Sequence, residues 1–441
     1  MRAGRAIAAA AGLTIVGALA GCGNTYRPVV SAINPVGPAG QPQKYALAIS
    51  SPGPTSNGLL TIVDFSGDTV LVNATLGVNP YYFAISTSGT TGYTLNSDKT
   101  VNSFDISTSL ITSQVLETTL LPGSNPVSVF ANSTTTYIPD IGLNSIDQLT
   151  GTPPALKQEL PVAANPVYVV GINGGPRVYA ISQGTGAGVG QAAAIEASEN
   201  TISTTIPLGH SPVYGVMTGD GRRAFILKQG DGTVTAINAV TNALDQPLLP
   251  NPIAVGVRPV WADLVPTKDE MVVANEGTGT SVGSLSIVSI PLCSATTQPG
   301  STSTCDSTNP VDANTFGQVL ATVPVGTNPI MVTALSDGTR AYVANAGVAS
   351  LPCAANGVAV PGVSTTCTVS VVNLNSFTVT ATVPIAGHPA WIASSDSTPT
   401  GKVYVVCKDS QVLTVIETDT DSLDTTIPLQ GNGVSVRVTA P

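Results

Sequence analysis

The chain has 441 residues, a formal net charge of −10 and only 10% charged residues, against roughly 25% in an average soluble domain. Gly (44) and Pro (34) are abundant, which suits short strands joined by many turns and excludes a helical bundle, for which Lys, Glu, Arg and Leu would be needed. Arg222 and Arg223 are the only adjacent basic pair, so no stripe exists to track phosphates, and nucleic acid is excluded as a partner.

The first segment, MRAGRAIAAAAGLTIVGALAGC, places Arg2 and Arg5 ahead of an apolar run from Ala6 to Ala20 and closes on Leu19-Ala20-Gly21-Cys22. The run falls short of the about 20 residues that span a membrane and is flanked as a secretory signal is. It resembles a bacterial lipoprotein signal peptide with a lipobox. That resemblance implies removal of residues 1–21 and lipid attachment at Cys22; an ordinary secretory signal with an incidental Cys is the alternative. Gly23 in place of Asp then implies the outer membrane, facing periplasm or surface. The mature chain would carry 14 basic and 26 acidic residues. Residues 22–43 hold four Pro and no periodic apolar face. Beyond the Cys they read as a semi-rigid tether of up to about 60 Å, at about 3.1 Å per residue.

From 44 to 441 the chain reads as repeats of short strands. KYALAIS (44–50), LLTIVDF (59–65) and TVLVNATLG (69–77) come first and match second, third and fourth strands with no inner strand ahead of them. Seven elbows follow, most of the form Gly-x-x-Pro, with prolines at Pro80, Pro126, Pro166, Pro212, Pro259, Pro329 and Pro389, spaced 46, 40, 46, 47, 70 and 60 residues apart. That is the period of a propeller blade, with two insertions. After Pro329 the runs IMVTAL, RAYVAN, TVSVVNL and TVTATVPI predict a four-stranded meander. Asp337-Gly338 closes its first hairpin, as Asp220-Gly221 does two units earlier, because a tight hairpin turn needs positive φ. The Pro fits ahead of an inner strand, where no N–H is called for, and the elbow Gly is expected to supply conformational freedom.

AYVAN (341–345), VVANE (272–276) and VYVVC (403–407), each downstream of an elbow, resemble the YVTN-type β-propeller repeat. The resemblance implies an all-β propeller of four-stranded blades in a surface or periplasmic protein, and it brings no catalytic motif. After the last complete unit, GNGVSVRVTAP (431–441) offers an inner strand with nothing behind it. Joined to the strands at 44–77, it makes a composite first blade and eight blades in all; seven is the alternative if the third unit, VSVFAN to LPV, forms no blade of its own.

Five cysteines remain after Cys22. In an exported protein, Cys293 with Cys305 and Cys353 with Cys367 read as disulfides within long loops, and Cys407 as a buried small residue in a strand. A metal site is the rival reading, opposed by spacings other than Cys-x-x-Cys and by no His close in sequence. His210, Arg258 and His388 occupy elbows on one face, with Asn79, Asn125, Asn165 and Asn328. Ligand binding by the first three is the sharper reading. Local capping of backbone groups is the blander one, which Asn favours. Two residues after the Pro, six units carry Tyr82, Tyr168, Tyr214, Trp261, Met331 or Trp391. These side chains either fill the wedges between blades, the favoured reading, or ring a central channel.

The Gly-rich loops 183–191 and 276–284 lack the Lys-Ser/Thr and the helix that a phosphate cradle requires. No nucleophile elbow or metalloprotease motif is present. The favoured function is a lipid-anchored binding or scaffold module for a protein or an envelope polysaccharide, with no cofactor or metal and the membrane reached through the lipid alone. The alternative is an enzyme of lactonase-like or quinone-dependent dehydrogenase type. The elbows contribute no Asp or Glu for it, and acids are expected to be scarce on their face.

Overall fold

A computed structural model describes residues 45–106, 114–186, 188–245, 252–290, 315–348, 350–353, 367–395 and 401–439. Cys22, the signal and tether segments, Cys293 and Cys305 lie outside the described residues. Eight antiparallel sheets form an eight-bladed β-propeller. Blades are numbered here in chain order from Tyr45. Inner strands begin at Pro80, Pro166, Pro212, Pro259, Pro329 and Pro389 in blades 2, 4, 5, 6, 7 and 8. Among the described residues the only helical element is a single 3-10 turn, Pro266–Lys268, and no helix is long and apolar enough to cross a membrane.

Burial follows position in the blade. Inner and second strands are covered on both faces by the neighbouring blades, so their sequences are near-continuous apolar runs. Ala46, Leu47, Ala48 and Ile49 in the second strand of blade 1 are all fully buried. Outer strands meet solvent on one side and alternate, as Ala155–Pro161 does residue by residue. Large side chains such as Phe83, Tyr137, Tyr179 and Tyr342 fill the wedges.

The ring closes through the composite blade. Asn432–Val438 pairs antiparallel with Tyr45–Ser51, Ala46 opposite Val438 and Ala48 opposite Val436. Beyond the last pair, Thr439 N–H donates to the Tyr45 carbonyl at 3.0 Å. The third unit does form its own blade, the weakest of the eight. Its inner strand is reduced to Phe130–Ala131 and a lone bridge between Pro126 and Asp140. Pro139 in the adjoining strand has no N–H to give to the ladder, though its carbonyl accepts the Val127 N–H at 3.0 Å, and the Ser128 hydroxyl donates to the Val167 carbonyl of the next blade at 3.0 Å.

The elbows differ from expectation in one respect. The residue just before the Pro, not the Gly, takes positive φ: Asn79 (44°), Asn165 (56°), Ser211 (49°), Arg258 (56°) and Asn328 (55°). Asn tolerates this region better than most residues, which accounts for its recurrence there. The Gly is required for space. A Cβ on Gly326 would lie 2.6 Å from the side chain of Asn345, and one on Gly256 equally close to Asn275. These Asn residues end second strands and are buried. Asn345 Nδ2 donates to Ser370 Oγ and Asn275 Nδ2 to Ser286 Oγ, each at 3.0 Å. A recurrent buried amide thus ties the second strand to the third.

Candidate functional site

Elbows and the turns after second strands emerge on the same side of the disc. The three elbow residues His210, Arg258 and His388 are each met there by an acid from their own blade. His210 presents its N–H and Nδ1 to Asp231 at 2.9 and 3.0 Å. His388 repeats the arrangement with Asp409 at 2.7 and 2.5 Å. Arg258 Nη2 lies 2.9 Å from Glu276 Oε2. The expectation that acids are scarce on this face is therefore corrected. They arrive from the second-to-third turns, 21 residues after each histidine, a placement visible only once the hairpins are folded. Burial works against ionisation of Asp231, but hydrogen bonds from His210 and the Lys228 ammonium at 3.3 Å outweigh it and hold its carboxyl below the usual range.

The three residues do not form one site. His210 and Arg258 sit on adjacent blades, linked by Gln229 Nε2 donating to Glu276 at 3.4 Å. His388 stands apart on blade 8, against the cysteine pair. The elbow amides cap neighbouring groups: Asn165 Nδ2 donates to the Gly184 carbonyl at 2.6 Å, and Asn79 Oδ1 accepts from Ser51 Oγ at 2.8 Å. Asn328 Nδ2 reaches the Gly347 carbonyl at 3.4 Å, and Asn125 donates its backbone N–H to Asp140 at 2.8 Å.

Between blades 8, 1 and 2 the same face opens into a cleft of about 410 Å³, lined by Pro52, Asn79, Tyr81, Lys408, Asn432 and neighbouring backbone. Tyr81 is 41% exposed, and its hydroxyl donates to the Pro126 carbonyl at 2.6 Å, so the ring is fixed while one side stays open. The residue was missed in the sequence because it follows the Pro directly, where other units carry Val, Ile or Ala.

The axis is closed. Register shifts after the Pro of blades 2, 4, 5, 6, 7 and 8 mark a bulge at the following residue. Bulges re-aim the next side chain. Tyr214 stacks on Trp261 at 3.8 Å, Tyr168 lies 4.7 Å from Tyr214, and Trp391 meets both Trp261 (5.1 Å) and Tyr82 (6.0 Å) edge-on. Contacts between blades 6 and 8, or 8 and 2, skip a blade and are possible only at the centre. Arg437 of the closing strand lies 4.1 Å over the Trp391 ring, a cation–π contact that adds to the plug. The wedge-filling reading is corrected for Tyr82, Tyr168, Tyr214 and Trp261, which meet across the axis; Met331 fits it, and Trp391 does both, buried in the same core as Met331 while touching Trp261 and Tyr82. Burial pushes the Tyr82, Tyr168 and Tyr214 phenols above their ordinary value, so all three stay neutral. A hollow of about 270 Å³ beside the plug contains Asp263, whose carboxylate accepts the N–H groups of Leu264 and Ala334 at 2.9 Å each.

Cys353 and Cys367 are joined, with Cα atoms 5.2 Å apart, and Cys407 is free and fully buried. Burial, helped by Asp409, pushes the Cys407 thiol up to about 12. Non-reducing peptide mapping should recover the Cys353–Cys367 link and unmodified Cys407. A Cys407 found in a mixed disulfide would contradict its burial. The expectation that no His lies near the cysteines is corrected in space: a ring nitrogen of His388 and the two Sγ atoms all lie within 4.8 Å of one another.

No protein-family description matches the chain, and no curated protein matches it in sequence. Solved structures do resemble it in fold. Apo AztD from Citrobacter koseri superposes with a TM-score of 0.57 at 11% identity, covering 90% of this chain and 97% of that one. The dihydro-heme d1 dehydrogenase NirN, in complex with DHE, gives 0.61 at 11%, covering 90% and 75%. A proposed 6-phosphogluconolactonase from Bacteroides fragilis gives 0.53 at 13%, covering 91% and 99%. At such identities the likeness is one of fold, and what it establishes for this chain is the β-propeller.

Proposed function

We propose that the protein is a binding module of the cell envelope that holds a polysaccharide on the elbow face without turning it over. The observation that carries this reading is the cleft beside Tyr81. A fixed, half-open aromatic ring with the amides of Asn79 and Asn432 and the Lys408 side chain around it matches what a sugar offers, an apolar ring face rimmed by hydroxyls. His210, Arg258 and His388 are held in local pairs, Asp263 accepts backbone N–H groups and aromatic side chains crowd the axis. Among the described residues no acid and base are left converging on a reacting atom, as the lactonase-like or dehydrogenase alternative requires.

The repeat is of the YVTN type, and Leu19-Ala20-Gly21-Cys22 anchors the chain by lipid at Cys22, in the outer membrane facing periplasm or surface. The membrane is reached through the lipid alone, and His210, Arg258 and His388 contribute at the rim of the face. Cys22→Ser should move the protein from the membrane to the soluble fraction.

On a glycan array, Tyr81→Ala with Lys408→Ala should bind its preferred polysaccharide about tenfold more weakly than wild type, the equivalent of about 1.4 kcal/mol. A His210, Arg258 and His388 triple Ala variant should lose less. Equal binding by all three proteins would move the site elsewhere. Capture of a protein but of no glycan would make a protein the partner. Saturable hydrolysis of a lactone or ester would make the enzyme reading the better one.

A further inference from the structure

We infer that Cys353, Cys367 and His388 form a thiol-gated site for Zn²⁺, closed while the disulfide stands and opened by its reduction. The two sulfurs and a ring nitrogen already lie within 4.8 Å of one another, close enough for one ion to reach all three at the usual ligand distances of about 2.0–2.3 Å once reduction frees the two bonded sulfurs to move apart. The three groups come together because the turn after the second strand of blade 7 and the elbow into blade 8 emerge side by side. The order of strands predicts that the 353–367 loop shares the elbow face with His388, though not that the three groups touch.

The histidine is set as a ligand. A carboxylate can only accept, so the 2.5 Å contact between Nδ1 and Asp409 Oδ2 puts the ring proton on Nδ1. In the neutral ring Nε2 then carries the lone pair. That nitrogen is buried and makes no hydrogen bond among the described residues, in a residue that is 8% exposed. A buried polar atom without a partner calls for an explanation, and a metal ion is one. An acid fixing the far nitrogen is the usual support of a metal-bound imidazole. The His388 N–H also donates to Asp409 Oδ1 at 2.7 Å, which holds the acid in place.

The chemistry balances in two steps. A dithiol reductant gives up two electrons and two protons to the Cys353–Cys367 bond, leaving two thiols and its own disulfide. Zn²⁺ then displaces the two thiol protons and binds two thiolates and Nε2, keeping a fourth position for water or an outside donor. Two thiolates with an imidazole suit Zn²⁺ rather than Ca²⁺ or Mg²⁺, which take oxygen ligands. Cys353 is partly exposed and so offers a reductant an approach.

The test uses the full chain with Cys22→Ser, Cys293→Ser and Cys305→Ser, so that Cys353, Cys367 and Cys407 are its only thiols. After reduction it should bind one Zn²⁺, read by competition with a chromophoric chelator, and Co²⁺ in its place should show thiolate-to-metal charge transfer. Asp409→Asn should weaken binding by about 10–100-fold, His388→Gln by more, and Cys407→Ala not at all. Zn²⁺ should raise the melting temperature of the reduced chain and leave that of the oxidised chain unchanged. Equal binding by oxidised and reduced protein, or by His388→Gln, would overturn the site, as would a reduced chain whose melting Zn²⁺ does not shift. None of these readouts involves a glycan, so they stand or fall apart from the binding role proposed above.

Discussion

Deletion of residues 432–441 should leave a chain that does not hold its fold at physiological temperature. The deleted strand is the inner strand of blade 1, and it meets Tyr45–Ser51 along its length. Its loss would uncover Leu47 and Ile49, both fully buried, and remove Val436, also fully buried, from the core. Burying a Val, Leu or Ile side chain is worth about 1.5–3 kcal/mol, and each ladder hydrogen bond adds about 1 kcal/mol net. The sum is on the order of 10 kcal/mol, comparable with the about 5–15 kcal/mol by which folded domains are stable. The same deletion removes Arg437 from the aromatic plug and leaves a bare sheet edge, a template for aggregation. Thermal scanning and the soluble fraction on expression check it; melting unchanged from wild type would reject closure by the two termini. A milder change grades the effect. A Cβ on Gly433 would lie 2.5 Å from Val406 Cβ, so Gly433→Ala should destabilise by about 1–3 kcal/mol through overpacking.

Asp245→Ala should cost about 3–5 kcal/mol, the usual penalty for leaving one half of a buried ion pair alone. Arg223 and Asp245 form a salt bridge through Nε and Oδ2 in blade 5, with both side chains at 0% exposure. The guanidinium is further held by Nη1 donating to the Arg222 carbonyl at 2.9 Å. Without the carboxylate the fully buried cation loses its Asp245 partner while remaining out of water. Replacing both partners, Arg223→Met with Asp245→Leu, should recover most of the loss, because the desolvation of two charges disappears with the pair. Urea unfolding of the three variants measures this. A single variant within about 1 kcal/mol of wild type would show that water reaches the site, since exposed pairs are worth no more than that.

Arg223 also marks where the sequence stops being readable. Arg222 and Arg223 look alike as a pair, yet one is half exposed and the other has no exposure at all. Placing the Asp220-Gly221 hairpin tells which begins the buried second strand, but nothing nearby announces Asp245, 22 residues on. The blades themselves were legible because prolines, hairpin Asp-Gly pairs and apolar runs are local signals that recur in register. The termini were legible for the same reason, three strands lacking a partner at one end and one at the other.

What escaped is set by geometry between segments. A bulge after six of the elbow prolines leaves no mark on composition, so the sequence could not tell wedge from axis for Tyr82, Tyr168, Tyr214, Trp261 and Trp391. The acids facing His210, Arg258 and His388 come from a different turn. The meeting of His388 with Cys353 depends on two loops of neighbouring blades leaving the disc together. Tyr81 went unnoticed because its environment, not its identity, makes it a platform.

Hydrogen–deuterium exchange with and without a saturating array-selected polysaccharide tests the binding role most directly, when the glycan is recovered and weighed afterwards. The elbow face should be protected at residues 51–54, 79–81, 408 and 432–434, around the cleft. The hairpins on the opposite side, 87–90, 218–222 and 336–339, should exchange as before, and the glycan should return with its mass unchanged. Protection confined to those opposite hairpins, or a glycan returned cleaved or oxidised, would contradict a non-catalytic binding face at the elbows.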